Sequence, residues 1–144
     1  MTSKRESILA QIETNLAGTT GVSTRIYRER VTPISRNESS CLVIEPVTDA
    51  AAQNVTLPKL DWTLQVRVVI IVRGSASSTP YEVADPICKS VHSKMTADLT
   101  LNGNAIDVVP TGVDFYMVDS EQPAGVITTN WMVRYRTSLT DLTT

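Results

Sequence analysis

Residues 60–73 read Leu-Asp-Trp-Thr-Leu-Gln-Val-Arg-Val-Val-Ile-Ile-Val-Arg, and Leu60, Trp62, Leu64, Val66, Val68, Ile70 and Val72 take every second place in this run. A period of two marks a β-strand, because successive side chains on an extended backbone point to opposite faces. A strand over 60–72 follows, more than twice the usual length of about five or six residues. The interleaved face changes along the way, from polar Asp61, Thr63, Gln65 and Arg67 to apolar Val69 and Ile71. The first half should therefore have one covered face and the second half two, with the polar half free to project past the core.

The chain on either side must supply partner strands and a covering layer. At the start, Ser3-Lys-Arg-Glu6 has the form of a capping box, in which the serine oxygen and the glutamate each satisfy an orphan N–H at a helix N-terminus. Ile8, Leu9, Ile12 and Leu16 then make one apolar stripe, and Gly18 supplies the stop. Residues 24–31 fit a strand with one polar face, and 41–45 a short buried strand ended by Pro46. The stretch 47–59 holds Asp49, a run of alanines, Gln53, Asn54 and Pro58 without a sustained period, and it reads as a long loop.

Downstream, 74–78 is a Gly/Ser/Ala linker, and Thr79-Pro80-Tyr81-Glu82 is a second capping box with proline at the first helical position. Val83, Ile87, Val91 and Met95 follow in steps of four, widened by Ala84, Cys88 and Leu99, while Pro86 marks a kink or restart. Asn102-Gly103-Asn104 is a turn, 105–109 and 113–118 are strand material interrupted at 110–112, and 126–137 is the last strand after a turn at 122–125. The order is helix, three strands, helix, two strands. This is an α+β pattern: a mixed or antiparallel-dominated sheet of about five strands with two helices on one face. The 144 residues suit a single domain, 1–144, with flexible loops near 47–59 and 74–78 and a C-terminal tail from about 138. Its predicted core is Ile8, Ile12, Leu16, Leu42, Ile44, Leu64, Val66, Val68, Ile70, Val83, Ile87, Val91 and Val133.

Composition narrows the chemistry. With 42% hydrophobic and 19% charged residues the chain has material for a core, and its net charge of −2 argues against a general affinity for nucleic acid or anionic lipid. The longest apolar run, 68–72, is far below the roughly 20 residues of a membrane span. Glu6, Gln11 and Glu13 interrupt what a signal peptide needs as its apolar stretch, so export by that route is not expected. His92 is the only histidine, and the only cysteines, Cys41 and Cys88, stand far apart outside any CxxC pair. A zinc site, a disulfide framework and a multi-histidine metal centre therefore find no support, and both thiols read as small core residues. Asp85, Asp98, Asp107, Asp114, Asp119 and Glu121 show no metal-loop or glycosidase spacing. Phosphate-cradling glycine motifs are missing from the sequence. No catalytic residue, metal or cofactor is expected.

Charge is unevenly placed. Residues 25–36 hold four arginines and one glutamate, whereas 98–132 hold five acids and no Lys or Arg. A head-to-tail ring joins non-equivalent surfaces of one subunit, and opposite charge on two distant stretches suits such a joint. Arg25, Arg28 and Arg30 on one side and Asp114, Asp119 and Glu121 on the other are the candidates; ordinary solvation is the competing reading. Leu57, Leu60 and Trp62 are the candidate apolar anchors of a protein contact, since a tryptophan beside Leu-Pro at a strand entrance is a residue type that dominates interfaces. Trp62 also shares the phase of Leu64 and Val66, so covering the end of the core is the alternative.

In order along the chain, Leu57-Pro58-Lys59-Leu60-Asp61-Trp62, Val72-Arg73-Gly74, Ala84-Asp85-Pro86, Met95-Thr96-Ala97-Asp98-Leu99, Pro123-Ala124-Gly125 and Tyr135-Arg136-Thr137 resemble the tail terminator, or tail completion, proteins of long, non-contractile-tailed bacteriophages. The resemblance runs over nearly the whole chain. It implies a small structural subunit of the virion tail, assembled in the host cytoplasm, that forms a hexameric ring with itself, caps the tail tube protein, stops its polymerisation and offers a surface to head completion or neck proteins. Other expectations from different classes are a neck or head-tail connector subunit, and a small cytosolic ligand-binding or enzymatic domain with a deep pocket.

Overall fold

The computed structural model describes residues 2–19, 26–28, 40–52, 59–73, 80–118 and 124–143. In chain order its elements are α1 (Lys4–Leu16), β1 (Ile26–Arg28), β2 (Ser40–Ala52), β3 (Lys59–Arg73), α2 (Pro80–Ala97), β4 (Asp107–Val118) and β5 (Ala124–Ser138). The fold class is α+β, with the expected order of helices and strands. The sheet runs β1-β2-β3-β5-β4 and is mixed: β1 lies parallel to β2, and every other neighbouring pair is antiparallel. The long alternating strand takes the centre, paired along its whole length with β5 from Lys59↔Ser138 to Arg73↔Ala124.

Both helices cover one face. Ser3 caps α1 by accepting from Glu6 N–H, and Ile8, Leu9, Ile12 and Leu16 are buried as the stripe requires. Gly18, at φ +82°, lets the chain leave the helix in a conformation that costs other residues more. Leu64, Val66, Val68, Ile70 and Val72 of β3 and Ile127, Trp131, Val133 and Tyr135 of β5 share the covered face with Ile87, Val91 and Met95 of α2. Every predicted core residue is buried except Val83, which packs at the margin. On the opposite face Cys41 and Val43 are also buried, at 0% and 4% exposure, beside Ile71 and Val69, where β3 turns apolar on both sides. Cys88 is half-buried at the edge of the core.

Four expectations need correction. The segment 47–52 is strand and not loop: β2 passes Pro46 with a one-residue register shift between Pro46 and Thr48, then pairs on to Ala52↔Asp61. A bulge accommodates the proline and leaves Val47 unpaired. Alanine and aspartate carry no period of their own, but the long edge of β3 offers hydrogen-bonding partners that override weak propensity. Lys59 likewise belongs to β3; residues 53–58 of the expected loop, and the whole of 74–78, lie outside the described residues. At 110–112 β4 continues through a second register shift and does not break. α2 does not restart at Pro86: it runs as one helix from Pro80 to Ala97. Beyond Ser138 the chain is not a loose tail, since Lys4 N–H donates to the Leu142 carbonyl at 2.8 Å. Only 26–28 of the strand expected over 24–31 is described.

Candidate interaction surface at the sheet edge

The face of the sheet away from the helices carries cross-strand ion pairs. Arg67 donates to Glu45 at 2.8 Å, Arg136 to Asp61 at 2.6 Å, and Arg134 to Asp107 through Nε at 2.9 Å and a second, shorter contact. Each arginine stands directly opposite its acid in the register. The hydrogen bonds from Arg134 hold the Asp107 carboxyl below the usual carboxylate range. Two hollows of about 360 and 340 Å³ lie on this face. Arg134 and Arg136 line the first and Arg67 the second, all three committed to acids.

At one end of the sheet the bulge in β2 brings Asp49 and Ala51 onto the helix side, opposite Leu64 and Trp62. Asp49 accepts from Arg5 Nε at 2.6 Å and from the Tyr135 hydroxyl, while its Oδ1 is buried with no partner among the described residues. Burial, reinforced by the bond to Asp49, pushes the Tyr135 phenol well above its ordinary value. Trp62 stacks on Tyr135 with ring centres 6.1 Å apart, lies under the Arg5 guanidinium and donates Nε1–H to Thr137 at 2.9 Å. These contacts tie α1, β2, β3 and β5 together.

At the end of the strand order lies β4, which among the described residues pairs only with β5. Its partners place Val113 and Phe115 on the helix side, opposite Thr129 and Ile127, and Asp114 and Tyr116 on the open side, opposite Thr128 and Val126. Val113 and Phe115 stay exposed beside α2, and Tyr116 faces away from it. Val113 is 45% exposed, Phe115 62% and Tyr116 65%, although Phe115 meets the edge of Tyr81 from α2 at 5.4 Å. Ile106, just before β4, and Val109, near its start, are exposed as well. Asp114 accepts from Asn130 Nδ2 at 3.0 Å.

Comparison with protein-family models and with curated proteins finds no match.

The residues singled out by sequence fall in three places. Arg28 is in β1 and holds Glu6 of α1 with two bonds of 2.7 and 3.0 Å, and Asp114 is in β4. Of the opposite-signed stretches the structure describes Arg28 on β1 and Asp98, Asp107 and Asp114, the last two on β4. Leu60 and Trp62 are half-buried at the α1 end, and the contacts described for Trp62 belong to the subunit's own fold. Leu57, Arg25, Arg30, Asp119 and Glu121 lie outside the described residues. His92 is exposed on α2, with its ring 5.7 Å from that of Trp131. Sequence reading missed Phe115 and Tyr116. Their signal was an apolar strand that carries large side chains in both phases, which suits either full burial or an uncovered edge.

Proposed function

We propose that this chain is a structural, self-assembling virion subunit that forms a hexameric ring at the head-proximal end of a phage tail tube, ends tube growth and presents a surface for head attachment. The observation that carries it is the exposed apolar end of β4, the last strand in the sheet order, with Val113 and Phe115 on the helix side and Tyr116 on the open side. A long, exposed apolar edge strand invites pairing with another chain unless it is blunted or occupied. An assembly protein uses that liability. The resemblance of six short segments to tail terminators supplies the particle and the place, and the opposite-signed stretches of the sequence suit joints between non-equivalent surfaces.

The test mixes purified subunit with the tail tube protein of the same particle and images the products. Tubes of bounded length with ring density at one end are expected; tubes that keep growing with bare ends reject the proposal.

A further inference from the structure

We infer that the 113–118 end of β4 binds an extended segment of a partner protein in which apolar residues alternate with Lys or Arg, and adds it to the sheet as a further strand. The inference rests on the assembly role put forward above and names the chemistry of what this edge joins.

The main chain is the first reason. In its first half β4 contains Pro110, which has no N–H, and the register shift between Pro110 and Gly112. Both features blunt an edge. From Val113 to Val118 the pairing with β5 is regular, and on the outer side these main-chain groups bond to no other described residue. Such a row is met by an extended chain, and the side chains of that chain then decide which one.

The two faces of the edge ask for different side chains. On the helix side Val113 and Phe115 are exposed, and beside Val113 a cleft of about 50 Å³ opens, lined by Cys88, His92, Gly112 and Trp131. It has room for the methyl groups of one small side chain. On the open side stand Asp114 and Tyr116, an acid and an aromatic ring that a cation can approach together. Alternate residues of a strand face the same side whichever way it runs, so one segment of period two serves both faces.

Charge gives the sign. The other acids in the described strands are each matched: Glu45 by Arg67, Asp49 by Arg5, Asp61 by Arg136 and Asp107 by Arg134. Asp114 has the Asn130 amide and no described cation. On α2, Tyr81 meets Phe115 and Cys88 lines the cleft, and Asp85, four residues after the one and three before the other, shares their helix face. Asp85 is exposed and likewise has no cation partner among the described residues. Acids thus flank the apolar pair on both sides. A second copy of this chain fits less well. The outer edge of β2 beyond its pairing with β1 carries Glu45 and Asp49 and no Lys or Arg, Arg28 of β1 is held by Glu6, and two β4 ends would bring Asp114 to Asp114.

The test titrates the full chain into fluorescently labelled peptides. Lys-Val-Lys-Val-Lys-Val should bind with a Kd below about 1 mM. Val-Val-Val-Lys-Lys-Lys, of the same composition without the alternation, and Glu-Val-Glu-Val-Glu-Val should each bind at least about tenfold more weakly. Amide hydrogen exchange should slow most at 113–118 when the alternating basic peptide is bound. Phe115→Lys and Asp114→Lys, both at exposed positions, should each weaken its binding at least about tenfold with the melting temperature kept. Equal binding of the three peptides, protection centred elsewhere, or full binding by either variant overturns the inference. So does protection of 113–118 that rises with protein concentration in the absence of peptide, because a second copy then takes the edge. The tube assay separates the two proposals: a protein that binds the alternating basic peptide and never caps tubes keeps this site and rejects the ring, whereas capped tubes built from a protein that binds none of the peptides keep the ring and reject this site.

Discussion

Trp62 joins three elements at its end of the sheet. It stacks on Tyr135 of β5, lies beneath Arg5 of α1 and bonds Thr137, so its indole closes the core where the helix stripe ends. Truncating a half-buried aromatic with such contacts removes transfer free energy and leaves a cavity. Trp62→Ala should lower unfolding free energy by about 2–4 kcal/mol in urea denaturation, while self-association of the folded variant stays within about twofold of wild type, under 0.5 kcal/mol. A loss of association with full stability would restore Trp62 as an interface anchor. Sequence left both roles open for a physical reason: phase says which face a residue occupies, and Trp62 stands where that face stops being covered. The Asp49 cluster was not legible at all, because the bulge that turns Asp49 inward follows from pairing with β3 and from nothing in residues 47–52.

Among elements, α2 departs most from expectation. Its stripe is readable in the sequence, yet of the kink or restart that Pro86 suggests the restart does not occur, and the helix continues through Ala97. Proline removes an N–H from the ladder and crowds the preceding turn, but burial of Ala84, Ile87, Val91 and Met95 against the sheet holds the helix on both sides of it. Pro86 is exposed. Pro86→Ala should therefore stabilise the protein by about 1–3 kcal/mol, measured by chemical denaturation, with unchanged helix content by circular dichroism. Destabilisation would mean the ring itself is held by packing. β2 teaches the complementary lesson. Its second half has poor strand propensity and exists because a longer neighbour pairs with it, a non-local effect that a window of sequence does not contain.

For the whole molecule, stability should fall in acid. Glu6 is held below its ordinary value by Arg28, Asp107 by Arg134, Asp98 by Thr100 and backbone N–H groups, and Asp141 by Thr143. A carboxylate with a folded pKa below its unfolded one, about 4, contributes stability that is complete above the unfolded value and is lost as pH falls through the folded one. Thermal melts between about pH 6 and pH 2 should show this decline, and Glu6→Gln with Asp107→Asn should flatten it; an unchanged slope would refute the assignment. The sequence by itself determined the α+β class, the order of elements, the phase of the central strand and nearly all of the core, because capping, period and turn chemistry act within a few residues. It also located the opposed charge. Only the tertiary structure decided that β1 and β4 are the two outer strands, that β1 is parallel, that arginines on the open face are matched to acids, and that Phe115 and Tyr116 are left uncovered. Strand order and register depend on contacts between residues up to a chain length apart, and an apolar side chain carries the same pattern whether or not another element lies over it.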